Sequence, residues 1–254
     1  MLKIVKNQEN FKTEMDWLKS YHHFSFGEHY DSNKMNFGSL RVFNDDSVQP
    51  GKGFGFHSHK DMEIISYVTE GSLEHKDNFG NNGIVKEGEI QIMSAGTGVF
   101  HSEFNHSQND LLKFLQIWIS PEKNGLKPSY GQKSLSKHDR LNKLQCVISP
   151  RSDDSSLSIH QDVSFYVSRL ENSKVHHDFA ESRVGYLFVI SGKLHINDME
   201  LGAKDSVKIQ EEKSIILESS DSSEIILLDM PSNNDSDKSN ETIKKKIGGS
   251  VSDK

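Results

Sequence analysis

Ser66–Lys76 reads SYVTEGSLEHK, and Leu187–Asn197 reads LFVISGKLHIN. Each is a short alternating run, a glycine, and a second alternating run, which is a strand–glycine–strand step. One step lies in each half of the chain, a weak internal repeat. The same period of two extends outward from both. In the first half it runs through Leu40 and Val42, Ile64 to Val68, Ile90 and Ile92, and Leu112 to Ile119. In the second it runs through Phe165 and Val167, Val184 to Ile190, Leu194 to Ile196, Ser206–Ile209, Lys213–Glu218 and Glu224–Met230. Gly51, Gly53, Gly55, Gly71, Gly80, Gly83, Gly88, Gly96 and Gly98 punctuate the first set. Frequent short strands with glycine-rich turns indicate an all-β sandwich or barrel. Two tandem copies of one β-barrel is the economical reading. Phe11–Lys19 reads as one or two turns of helix, and the connection after Ile119 has room for a short one.

The segment 121–143 has Pro121, Gly125, Pro128, Gly131 and few apolar residues, and reads as a linker. The expected boundaries are therefore 1–120, a linker over 121–143, a second domain over 144–231, and a disordered tail over 232–254. Lys244–Lys246 in that tail reads as ordinary solvated charge. The chain has 254 residues and a formal net charge of -7, which argues against direct nucleic-acid binding. No apolar run approaches the length of a membrane span, and the first ten residues lack the core of a secretory signal. A single cysteine, Cys146, excludes an internal disulfide, a zinc ribbon and a Cys-x-x-Cys redox pair. A reducing, cytoplasmic compartment is the expectation.

With 13 histidines, one His-x-His is expected about 0.7 times by chance, so the motif alone carries little. Here His57-Ser58-His59 and His101-Ser102-Glu103 both stand at strand edges. Residues i and i+2 of a strand share a face. Each motif thus aims two donors one way, and neighbouring strands would bring together three imidazoles and a carboxylate. That donor set suits iron, and also nickel, copper, manganese or zinc. It would leave positions open on a six-coordinate ion, unlike a closed structural zinc site.

The frame around the motifs adds weight. Gly51 stands six before His57, Glu63 four after His59, and Gly71 follows; then come Gly88, Ser94-Ala95-Gly96 and His101. This resembles the two signature motifs of the cupin superfamily. It departs from them in the Glu63–Gly71 spacing, in Ser94 where proline is usual, and in the Gly96–His101 spacing. Longer segments are similar to the pirin family: YHHFSFGEHYD (Tyr21–Asp31), FGSLRVFNDD (Phe37–Asp46), GFGFHSHKDMEIISYVTEGSLEHKDNFGN (Gly53–Asn81), GEIQIMSAGTGVFHSEFN (Gly88–Asn105), LQIWI (Leu115–Ile119) and SIHQDVSFYVSRL (Ser158–Leu170).

The resemblance implies two tandem cupin barrels of the jelly-roll type. It implies a metal held in the first by His57, His59, His101 and Glu103, one divalent ion per chain. Iron(II) leads, with nickel, copper, manganese, zinc and cobalt as substitutes. It further implies a quercetin 2,3-dioxygenase-like activity, with the heterocyclic ring of a flavonol opened by O2 and CO released. Glu103 would take the proton of the 3-hydroxyl. The alternative in the same family is a non-enzymatic, iron-dependent regulator that binds a transcription factor or a metabolic enzyme. A small planar aromatic substrate and O2 are the expected partners of the first reading, and a protein is that of the second. Neither involves nucleic acid or a membrane, and a monomer is expected.

Glu63 is expected beside the site, hydrogen-bonded to a ligand imidazole. His22 and His23 line the pocket mouth or cap local backbone. Phe56, with Phe24, Phe26, Phe37, Phe43, Phe54 and Phe104, is a candidate for the pocket wall. His75 and His106 read as surface histidines at strand ends. In the second half His176-His177-Asp178 is not a His-x-His and His195 stands alone, so no metal is expected there.

Overall fold

The computed structural model describes residues 1–151 and 155–232. Apart from Ser232, the expected tail lies outside the described residues. The first half contains β1 (Leu2–Val5), β2 (Phe11–Glu14), β3 (Leu18–His22), β4 (Leu40–Val48), β5 (Gly53–His59), β6 (Glu63–Glu70), β7 (Ser72–Asp77), β8 (Asn82–Lys86), β9 (Glu89–Ser94), β10 (Val99–Asn105) and β11 (Leu112–Ile119). β12 (Ser129–Ser134), β13 (Gln145–Ser149), β14 (Leu157–Ser158) and β15 (Ser164–Asp178) follow. The chain continues with β16 (Arg183–Gly192), β17 (Leu194–Ile196), β18 (Met199–Leu201), β19 (Ser206–Ile209) and β20 (Ser214–Pro231). The helix expected over Phe11–Lys19 does not form. Phe11 and Thr13 are half-buried while Lys12 and Glu14 are exposed, a period of two, and β2 pairs antiparallel with β3.

The first barrel is a seven-stranded sheet, β12-β9-β6-β11-β4-β3-β2, facing a four-stranded sheet, β5-β10-β7-β8. The second is built on the order β1-β19-β16-β20-β15-β13-β14, with β17 and β18 attached to β20. Two boundaries differ from the compositional reading. β1 pairs with β19, so the chain's first strand completes the second barrel. β12, inside the expected linker, pairs along β9 and extends the first barrel. Each covers a strand edge that would otherwise present unpaired backbone groups. A polar strand serves that purpose as well as an apolar one, which is why composition did not reveal it.

The glycine of each strand–glycine–strand step sits where no other residue fits. Gly71 and Gly192 both have φ of +81°. A Cβ would stand 2.6 Å from Leu111 O at the first and 1.9 Å from Ser222 O at the second. Positive φ is glycine territory.

The largest apolar cluster lies between the barrels. Phe43, Ile65, Tyr67, Leu115 and Ile117 of the first pack with Phe165, Tyr186, Phe188, Ile226 and Leu228 of the second. The seven-stranded sheet is therefore buried on both faces, which explains the apolar residues on both sides of the strand at Ile64, Ile65, Tyr67 and Val68. Its inner face is not uniformly apolar. Register sets His22 opposite Asn44, Asn44 opposite Gln116, Gln116 opposite Ser66, and Ser66 opposite Gln91. This polar row crosses five strands. Val68, Phe114, Val48 and Leu18 form an apolar cluster on one side of it, and Ile64, Met93, Ala95 and Val99 another.

Candidate metal centre

The two motifs stand on adjacent strands. β10 pairs antiparallel with β5, with His101 opposite His57 and Val99 opposite His59. Donor atoms of His57, His59 and His101 all lie within 4.8 Å of one another. The two Nε2 atoms of His57 and His101 are 3.1 Å apart. His57 Nδ1 lies 2.8 Å from Gly55 O and donates to it, which leaves Nε2 as a lone pair. His59 is braced edge-on by Trp118, ring centroids 4.8 Å apart. Burial first, and the neighbouring imidazoles second, push His59 down to about 4 and His101 to about 3. Both rings are neutral at neutral pH, the form that binds a metal.

Glu103 is buried and held by three donors. Ser66 Oγ and Gln91 Nε2 reach its Oε1 at 2.9 Å each, and Gln116 Nε2 reaches Oε2 at 2.5 Å. All three come from the polar row of the seven-stranded sheet. A carboxylate has about four acceptor sites, so one remains. Glu103 lines the same pocket as His57 and His59. Its oxygens group within 4.8 Å with donors of His101 and His75.

The donor set fits a divalent ion. Two nitrogens each about 2.1 Å from an ion and at right angles stand about 3.0 Å apart, close to the observed His57–His101 separation. Neutral imidazoles with one carboxylate are donors that first-row divalent metals accept. A second, mixed group, His75, His101 and Glu103, is wholly buried.

The pocket beside the histidines is lined by Leu18, Ser20, His22, Phe26, Asn44, Asp46, Phe54, Gln116 and Trp118. Its free volume is about 70 Å³, room for a few waters and less than the hundreds of Å³ of a ligand site. A three-ring ligand requires Phe26 or Phe54, both only partly buried, to swing away.

Several expectations are corrected. Glu63 is buried but bonds no imidazole of the triad: Ser94 Oγ donates to its Oε1 at 2.6 Å and the His160 backbone N–H to its Oε2 at 3.3 Å. It ties the first barrel to the segment after β14. His22 lines the pocket, with Nδ1 2.9 Å from Asn44 Oδ1. His23 points elsewhere, into the interface, between Asn10 and Tyr186. Phe56 is 62% exposed and Phe104 partly so, while Phe24, Phe37 and Phe43 belong to the inter-barrel core. Phe26 and Phe54 are the phenylalanines of the pocket. His75 is fully buried rather than superficial, its Nδ1 3.4 Å from His101 Nδ1 and its ring stacked on Tyr130. His106 is on the surface, bonded to Glu74.

The sequence reading missed Ser66, Gln91 and Gln116. For Ser66 and Gln116 the signal was present: a polar residue in the inward phase of a strand whose neighbours two positions away are apolar, Ile64 and Val68 for the first and Phe114 and Trp118 for the second; Gln91 stands between Glu89 and Met93 and gives a weaker one. It also missed Asp46, a buried carboxylate of the pocket. Burial, opposed by Ser20 and aided by Asp45 and Glu103, raises Asp46 to about 7.

A pirin profile matches residues 4–119, and a profile described as a quercetinase C-terminal cupin domain matches 146–230. The chain is 43% identical to quercetin 2,3-dioxygenase of Escherichia coli K12, over 91% of this chain and 99% of that protein. The chain belongs to the pirin family. Its two tandem cupin barrels match those of the bacterial pirin YhhW from E. coli, whose crystal structure is in complex with nickel(II). The TM-score is 0.87 at 42% identity, covering 91% of this chain and all of that one. Quercetin 2,3-dioxygenase from Acinetobacter baumannii, at 18% identity and a TM-score of 0.73 over 98% of each chain, shares the pirin chain's fold.

Proposed function

We propose that this pirin is a metal-dependent dioxygenase that opens the heterocyclic ring of flavonols such as quercetin with O2 and releases CO. The observation that carries this is the convergence of His57, His59 and His101 beside a caged Glu103, at a pocket walled by Phe26, Phe54 and Trp118. The relatives named quercetin 2,3-dioxygenase support it. His57, His59, His101 and Glu103 would hold the ion.

Bound there, a divalent ion, iron(II) in our reading, supplies Lewis acidity that lowers the pKa of a flavonol 3-hydroxyl. Nickel, cobalt, manganese, copper and zinc are ions the same donors accept. The chain's own residues do the rest. Ser66, Gln91 and Gln116 fix the carboxylate of Glu103 and leave one acceptor site free. That one site serves the two roles in turn: Glu103 would hold the ion with it before substrate arrives, and takes the proton of the 3-hydroxyl with it afterwards. Trp118 holds His59 in place. The aromatic walls bind a flat ligand and exclude water. All these residues come from the first barrel of one chain, so a monomer suffices.

The test is anaerobic reconstitution with one ion at a time, elemental analysis, then quercetin and O2 in the same cuvette. Stoichiometric metal with metal-dependent loss of flavonol absorbance and release of CO is the expected result. Stoichiometric metal without turnover would overturn the dioxygenase reading and turn the search to protein partners. No uptake of any ion would overturn the site.

A further inference from the structure

The polar wall of the pocket holds a second carboxylate that the proposed reaction does not use. Asp46 lies on β4, two residues from Asn44, and is 3% exposed. It shares the pocket lining with His57, His59 and Glu103. Register places Ser20 opposite it on β3 and Phe114 opposite it on β11. Its Oδ1 has no hydrogen-bond partner. No lysine or arginine forms an ion pair with it among the described residues; Lys204 pairs instead with its neighbour Asp45, at 3.0 Å. The donors of Ser66, Gln91 and Gln116 in the polar row are directed at Glu103, at distances of 2.5 to 2.9 Å.

A buried acceptor without a donor is costly, and native structures rarely keep one without use. The cost disappears when a ligand brings a donor. Phenolic hydroxyls are such donors, and an O–H on a carboxylate, the form Asp46 takes above about pH 7, makes a short, charge-assisted bond. Metal donors and Asp46 are distinct parts of one wall, so one ligand can meet both.

We propose that Asp46 is the specificity-determining residue of this pocket, accepting a hydrogen bond at Oδ1 from a hydroxyl on the pendant ring of the substrate. The substrate class is thereby narrowed from flavonols in general to those hydroxylated on the pendant ring. This inference rests on the flavonol reading above. Asp46 positions the ligand through its remote ring, and the reacting oxygen is then delivered to the histidine side.

Binding tests it without turnover. Quercetin and galangin, which share the 3-hydroxyl but differ in the two hydroxyls on the pendant ring, are titrated anaerobically into metal-loaded wild type, Asp46→Leu and Asp46→Asn. Wild type should favour quercetin by about 10- to 100-fold, the value of one charge-assisted hydrogen bond. Asp46→Leu should bring that ratio close to one by weakening quercetin alone. Asp46→Asn, which keeps an acceptor oxygen but not the charge, should fall between. Metal content, measured in parallel, should not change. A ratio that survives Asp46→Leu, or equal loss of both ligands, would overturn the role of Asp46 while leaving the flavonol reading intact. If wild type bound neither ligand, the flavonol reading would fall and this inference with it.

Discussion

His57 Nε2 and His101 Nε2 face each other at 3.1 Å across a directly opposed pair of β5 and β10. The Nδ1 of His57 is committed to Gly55 O, and that of His101 approaches His75. The inward nitrogens are thus the ones left to bind an ion. Removing either ring should be severe. His57→Ala and His101→Ala should each weaken metal binding at least about 100-fold, beyond what loss of a supporting residue costs. Competition against a chromophoric chelator measures it. Wild-type affinity in both variants would remove these residues from the site.

His75 is tied to the same centre. It lies between His101 and Asp77, with Nδ1 3.4 Å from His101 Nδ1 and Nε2 3.6 Å from Asp77 Oδ2. His75 Nε2 has no hydrogen-bond partner, so the contact that can orient the His101 ring is the one at Nδ1, with His101 donating and His75 accepting. His75→Phe keeps the stack on Tyr130 but removes the acceptor. Metal affinity should fall by about 10- to 100-fold, with the melting temperature little changed. An unaltered affinity would show that His101 is oriented by packing alone.

Glu103→Gln sets an amide nitrogen among Ser66, Gln91 and Gln116, so one donor must face another. The variant should fold, with a cost of about 1–3 kcal/mol for an unsatisfied buried group. It should retain part of its metal and lose flavonol turnover. Turnover at the wild-type rate would exclude Glu103 as the proton acceptor, though not as a ligand.

Much of this was legible in the sequence. The alternation, Gly71 and Gly192 marked the two barrels, because positive φ together with a carbonyl oxygen crowding the Cβ position excludes other residues there. His57 and His59 were legible because a strand's period of two makes His-x-His a geometric statement, and His101 because His-x-Glu makes the same statement on a second strand. What failed was set by long-range pairing. β1 joins a strand some two hundred residues away, and nothing local in Leu2–Val5 says so. Glu63 was misread because its partners, Ser94 and His160, come from β9 and from beyond β14. Phe11–Lys19 was read as helix because a few apolar residues in a short window fit either period.

His23 should shape the acid limb of stability. Burial pushes it down to about 3 from 6.5. It accepts from Asn10 at Nε2 and contacts Tyr186 Oη at 2.6 Å through Nδ1. Between those two pKa values the unfolded chain binds a proton that the folded chain does not. Stability is therefore fully present above about 6.5 and is lost as pH falls toward 3, at up to about 1.4 kcal/mol per pH unit. His23→Gln keeps hydrogen-bonding capacity without titrating. Urea unfolding from pH 7 to pH 4.5 should show a slope smaller by about one proton in the variant. Parallel curves would mean that His23 is protonated in the fold.

The barrels are joined by a buried polar contact whose partners come from three parts of the chain. Arg140, in the segment between them, bonds both Tyr67 Oη of β6 and Glu224 of β20, and Tyr67 Oη donates to Glu224 Oε1 at 2.7 Å. The Arg140 side chain is 5% exposed. A buried ion pair is weak evidence for stability in itself, because desolvation offsets the attraction. Breaking one is different, since it strands a charge. Glu224→Ala should therefore destabilise the protein by about 3–5 kcal/mol. Arg140→Met with Glu224→Leu, which removes both charges, should recover most of that loss. Equilibrium urea unfolding of the two variants decides it. Equal losses in single and double variants would mean that packing between the barrels, rather than the stranded guanidinium, sets the cost.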